Sequence, residues 1–148
     1  MTVPGPDFGP AAKRHLADAD LLHQHGRFAN ACHLAGFAAE CALKAIALAF
    51  LGAQPKTTGP PEVTIAGQNT SLSHLPDLWT HLSLLVNGRS GSMFVSLLQR
   101  PNPFAMWSIH ERYHRGTGVT ATRSSDHISA ARSVVSLYQQ AQLAGTLP

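Results

Sequence analysis

Charge is scarce in this chain. Only 13% of its 148 residues are Asp, Glu, Lys or Arg, about half of what an average globular domain carries. That excludes a charge-solvated disordered tail and leaves the surface to Ser, Thr, Asn, Gln and His. Neither sign dominates: 11 Lys and Arg against 8 Asp and Glu give +3, with 9 His counted as neutral. This balance tolerates nucleic acid or nucleotide as a partner but lacks the dense basic patch of a dedicated DNA-binding domain. Cysteine is nearly absent, with Cys32 and Cys41 only, which excludes a disulfide-dense miniprotein. On one helix their nine-residue spacing gives about 900° of turn and roughly 13 Å of rise, so they face apart and cannot bridge. Two buried thiols in a reducing compartment is the reading. No uninterrupted apolar run is long enough for a membrane span. The best stretch, Leu34 to Leu51, contains Glu40 and Lys44. The opening MTVPGPDFGP has neither a basic region nor an apolar core, so no signal peptide is expected. No internal repeat occurs. The expectation is a soluble cytoplasmic protein of one domain, large enough to bury a core, with no membrane partner.

What is present reads as helix. Residues 1–10, with three prolines and two glycines, are expected to form a flexible arm, and residues 11–146 a single helical domain. Leu16, Ala19 and Leu22 recur at three and four, which predicts a helix to His25. Gly26 breaks it, and an Ala- and Leu-rich helix runs from Arg27 to Leu51, where Gly52 supplies a stop. So short a connection predicts two antiparallel neighbours. Residues 52–72 read as a long loop, functional or slack; within it Glu62–Ile65 has strand character but no evident partner. A third helix is predicted from Ser73 as N-cap to Val86, ahead of an Asn87–Gly91 turn. A short helix follows over Met93–Gln99, then a segment from Phe104 to His114. The last helix is expected from Ser124 or Ser125 to Ala144, with Ile128, Ala131, Val135 and Tyr138 as its core stripe. The fold class is therefore all-α: four main helices plus one or two short ones.

Three groups of residues carry chemistry. On the second helix Asn30, His33, Phe37, Glu40 and Lys44 fall within about 60° of one another. Glu40 and Lys44 form a well-oriented i, i+4 pair. A buried carboxylate needs a partner, and a buried imidazole can be tuned across neutral pH. The stripe, with Arg27 before it, is either structural or functional. The second group is His110-Glu111-Arg112-Tyr113-His114, which spells H-E-x-x-H. On a helix that pattern stacks two histidines one turn apart for zinc, with Glu111 as base. It is hemmed in by Pro103 and Gly116 and lacks a further downstream ligand pattern, so no metal is expected. The third is the basic stretch Arg100, His110, Arg112, His114, Arg115, Arg123 and His127. With Trp107 and Tyr113 interleaved, it suits a phosphate backbone and a stacked base; the alternative is a solvated face.

The sequence resembles the HEPN domain superfamily. The first two helices of that fold are similar to His15-x-x-Asp18-x-x-x-Leu22 followed by the run Gly26 to Lys44, with its A-x-x-A-x-E-x-x-L-K pattern. Ser73-His74-Leu75-Pro76-Asp77-Leu78 resembles the family's H-x-L entry to its third helix. Trp107 to Tyr113 resembles its W-x-x-x-x-R-Y segment. The resemblance covers most of residues 10–145. It implies an up-and-down bundle, commonly a homodimer. The superfamily contains metal-independent endoribonucleases and toxins of toxin–antitoxin and phage-defence systems, often paired with a nucleotidyltransferase-type antitoxin. Other members bind nucleotides or act as assembly modules without catalysis. Its ribonucleases carry R-x4-6-H on a late helix. Here nine residues separate Arg100 from His110 and three separate Arg123 from His127. The formal match is Arg27 to His33, with five between, on the early helix.

Cleavage of RNA by its own 2′-hydroxyl needs a base with a pKa near 7, a phosphate-binding cation and a group for the leaving oxygen. His110, Arg112, Tyr113 and His114 are the candidate catalytic residues. Arg100, Trp107, Arg115 and Arg123 are the candidates for holding RNA or nucleotide. No cofactor is expected. Three functions stay open: an RNA-cleaving toxin, a non-catalytic binding or assembly module on the same fold, and, more distantly, a zinc hydrolase.

Overall fold

The computed structural model describes residues 5–87 and 92–146. It is mostly helical, with five α-helices, one 3₁₀ helix and a two-stranded sheet among the described residues. α1 (Phe8–Gln24) and α2 (Phe28–Phe50) form a hairpin turning at Gly26. The turn is a Schellman closure: Gly26 takes φ +73°, its N–H donates to His23 O, and the Arg27 N–H donates to Leu22 O at 2.8 Å. Helix α1 starts inside the stretch expected to be an arm. Pro10 costs it nothing there, because first-turn N–H groups have no partner within the helix.

α2 is the central element, about 34 Å long. It packs against α1, α3 (Asp77–Asn87), the 3₁₀ helix (Ile109–Tyr113) and α5 (Ala121–Thr146). Ala31, Ala35, Ala38, Ala39 and Ala42 are fully buried along it, in one core with Ala12 and Ala19 of α1 and Ala131 of α5. Methyl-sized side chains let helix backbones approach closely, and Leu43, Ile46, Leu78, Leu82 and Val134 fill the wider gaps. By length and composition α2 alone, among the described residues, would pass as a membrane span. In the fold most of it is covered by protein. Neither cysteine is in a disulfide.

The loop over 52–72 is not structureless. Glu62–Ile65 (β1) pairs antiparallel with Gln68–Ser71 (β2) through a two-residue turn. Ala66 (φ +51°) and Gly67 (φ +79°) both lie in the left-handed region, as a type I′ turn requires. Lys56 Nζ donates to Glu62 Oε1 at 2.6 Å and Asn69 Nδ2 to Oε2 at 2.9 Å, bracing the hairpin. The strand expected to lack a partner therefore has one, and the chain is mostly helical, as expected, with a small two-stranded sheet added.

Two helix starts also differ from expectation. α3 begins at Asp77, not Ser73, because Glu40 of α2 takes the Leu75 N–H at 3.1 Å and the chain turns at Leu75–Pro76 before the helix opens. α5 begins at Ala121, capped by Thr120, whose Oγ1 accepts the Arg123 N–H at 3.1 Å. The short helix α4 covers Ser92–Leu98, close to expectation. The turn at Asn87–Gly91 falls largely outside the described residues.

Candidate functional site

The polar stripe on α2 splits into two environments. Glu40 and Lys44, at its middle, are buried. Lys44 Nζ lies 3.4 Å from Glu40 Oε2 and its ammonium sits over the Phe8 ring at 5.7 Å. His74 Nδ1 lies 3.1 Å from both Glu40 oxygens. With the Leu75 N–H, Glu40 thus satisfies three groups and fixes the entry to α3 against α2. A buried carboxylate so enclosed holds structure and has no open face for a substrate.

The other half of the stripe opens to solvent. Arg27, Phe28, Ala29, Asn30 and His33, at the start of α2, form one wall of a cleft of about 310 Å³. Glu111, Arg112, His114, Arg115, Gly116 and Val119 form the other. The walls meet where Gly116 abuts Ala29. A β-carbon at Gly116 would fall 2.5 Å from the Ala29 methyl, and its φ of +73° is a second demand for glycine. The first turn of α2 has no side-chain cap and no acidic residue, so its N–H groups add positive potential at this end. Arg27, Arg112 and Arg115 have no ion-pair partner among the described residues, whereas Lys44, Lys56, Arg123 and Arg132 are each paired.

His33 sits at the inner end. Its ring stacks on Trp107 at 5.5 Å and 17° and meets the edge of Phe37 at 4.8 Å. Its Nδ1 is buried without a hydrogen-bond partner. Burial, then the nearby Arg112 cation, lowers its pKa below 6.5, so the ring is neutral at pH 7. Glu111 is held by Arg123, whose guanidinium donates to Glu111 Oε1 at 3.5 Å and to Met106 O at 3.4 Å. His114 Nδ1 stands 3.9 Å from the other Glu111 oxygen.

The residues expected to carry chemistry are thus only partly gathered. Arg112, His114 and Arg115 line the cleft with Arg27 and His33. His110 and Tyr113 are exposed and do not line it; the Arg112 guanidinium lies over the Tyr113 ring at 4.9 Å. Trp107 is no platform for a base. It is 2% exposed, its Nε1 donates to Cys32 O at 3.2 Å, and it fills the notch left by Gly36. Arg123 clamps the 106–111 segment to α5, and Arg100 lies apart, in a groove between α4 and α5 with Ser96, Ser129 and Arg132. The H-E-x-x-H residues lie on a 3₁₀ helix that ends at Tyr113, with His114 in extended backbone. The one-turn α-helical stacking of the two histidines is not formed. Among the described residues no group of three or more His, Cys, Asp or Glu is placed to hold a metal ion.

Sequence reasoning had no place for Glu111 outside a zinc site, nor for Gly116 and Val119 as cleft wall. One signal for Trp107 was available: a lone glycine in the alanine run of α2 marks where a bulky side chain must approach. Compared with known protein families, with curated proteins and with solved structures, the chain matches none of them.

Proposed function

We propose that this cleft binds RNA or a nucleotide through its phosphate and that the protein is a HEPN-like, metal-independent endoribonuclease of a toxin–antitoxin or phage-defence system. One observation carries the reading. Arg27 and His33, which have R-x4-6-H spacing, line the same cleft as Arg112, His114 and Arg115, although some eighty residues separate the two sets. The guanidinium groups match phosphate oxygens in charge and geometry. Neutral His33 takes the proton of a 2′-hydroxyl. The 2′-oxygen then attacks phosphorus, the bond to the 5′-oxygen breaks, and His114 returns a proton to that leaving oxygen. The products are a 2′,3′-cyclic phosphate and a 5′-hydroxyl. In this reading the protein is cytoplasmic and homodimeric, with a nucleotidyltransferase-type antitoxin as partner.

A second reading, a binding module without catalysis, draws on the exclusion of His110 and Tyr113 from the cleft and on the burial of His33 Nδ1. One experiment separates the two: RNA cleavage in EDTA by wild type, Arg27→Ala/His33→Ala, Arg112→Ala/His114→Ala and His110→Ala. Loss of cleavage in both doubles, with His110→Ala active, supports the nuclease. RNA retention without cleavage by wild type supports the module. Cleavage unchanged in both doubles removes the cleft from the chemistry.

A further inference from the structure

We infer that the cleft takes a terminal phosphate monoester, the end of an RNA strand or a mononucleotide, in preference to a phosphodiester inside a strand. This rests on the reading of the cleft as a phosphate site. Three features carry it.

The first is charge. Arg27, Arg112 and Arg115 line one cleft without a carboxylate partner among the described residues, and Glu111, the one acid among the described residues lining it, is engaged by Arg123. A phosphodiester brings one negative charge. A terminal phosphate brings about −1.5 to −2 at pH 7 and three acceptor oxygens. Three unpaired guanidinium groups are matched by the second and exceed the first.

The second is shape. Gly116 abuts Ala29 and narrows the cleft where its two walls meet. The cleft volume of about 310 Å³ is at the low end of small-molecule pockets, room for one phosphate and its nucleotide.

The third is what the walls lack. Trp107 is buried beneath His33, Tyr113 stands outside, and Phe28 is occupied against His23, with ring centroids 5.4 Å apart. No open aromatic face is offered to a base, so recognition falls on the phosphate and is indifferent to sequence.

The test is fluorescence anisotropy in EDTA at fixed salt, with one 10-nucleotide RNA of 2′-deoxy-blocked scissile positions made in three forms: 5′-phosphate, 3′-phosphate and hydroxyl at both ends. Adenosine monophosphate and inorganic phosphate serve as competitors. We expect one phosphorylated end to bind at least about tenfold more tightly than the hydroxyl form. Which end wins assigns the polarity, and competition by adenosine monophosphate extends the site to free nucleotides. Arg112→Gln and Arg115→Gln, both at exposed positions that do not threaten folding, should abolish the difference. Lowering the pH below 6, where the monoester loses its second charge, should shrink it. Equal affinity for all three forms overturns the terminal-phosphate inference and leaves the RNA-binding reading standing. No binding of any form overturns the RNA-binding reading itself.

Discussion

At the scale of single residues, the tightest constraint is the contact between Gly36 and Trp107. A methyl group on Gly36 would overlap the indole, which is itself fixed by its hydrogen bond to Cys32 O. Gly36→Ala is therefore expected to destabilise the fold by about 1–3 kcal/mol, despite alanine's better helix propensity, and a thermal melt should show a midpoint several degrees lower. An unchanged midpoint would mean that the indole has room to withdraw. Buried histidines set the response to acid. Burial lowers the pKa of His127 below the ordinary 6.5, and the same holds for His33 and His15. Below pH 6.5 the unfolded chain binds protons that the folded chain refuses, so stability present above pH 6.5 is lost as the pH falls toward the lowered folded values. Midpoints measured from pH 7.5 to 5 should fall, and the fall should be shallower in His127→Gln. Parallel profiles would sink this assignment. Cys41, its pKa pushed up to about 11 mainly by burial, should stay unmodified by a thiol reagent under conditions where the fold holds.

At the scale of elements, the helices were legible because period and punctuation agree. Leu16, Ala19 and Leu22 mark one face of α1, and Gly26 and Gly52 stand at the helix stops with positive φ. The failures have local causes. β2 reads Gln-Asn-Thr-Ser, polar throughout and largely exposed, so it shows no alternation. Its turn is Ala-Gly, whereas the strong hairpin signal is Asn-Gly. Ser73 looks like a cap, but the Leu75 N–H is claimed by a carboxylate from another helix, a long-range fact that no local pattern contains. Likewise the two halves of the cleft were each noticed, while their meeting depends on how α2, the 3₁₀ helix and α5 pack. The hairpin offers a test. Ala66 holds φ +51° without the side-chain help that asparagine gives. Ala66→Asn should stabilise by a few tenths to about 1 kcal/mol, read as a higher denaturation midpoint. A loss of stability would argue against the type I′ geometry.

At the scale of the whole molecule, the cations paired with carboxylates brace the fold, and three of the six described Lys and Arg without an ion pair line one cleft. Gathering like charges costs free energy in the unliganded protein, as expected where function rather than stability sets the surface. Arg112→Gln should therefore leave the melting midpoint unchanged or raise it, by up to about 0.5 kcal/mol, and added salt should stabilise wild type more than the variant. Inorganic phosphate should raise the wild-type midpoint by mass action, approaching about 2.7 kcal/mol at a hundred times its Kd, and should do less for the variant. A midpoint that falls on losing Arg112 would show that this guanidinium holds the structure together. The architecture also has a consequence in time. The α1–α2 hairpin is built from local contacts, but the cleft joins residues 26–33 to residues 111–119, and Arg123 is needed to hold the second wall. During synthesis the first two helices can pair early, while the binding surface is incomplete until the start of α5 has left the ribosome. Whatever ligand the cleft takes, a nascent chain cannot take it before Arg123 has emerged.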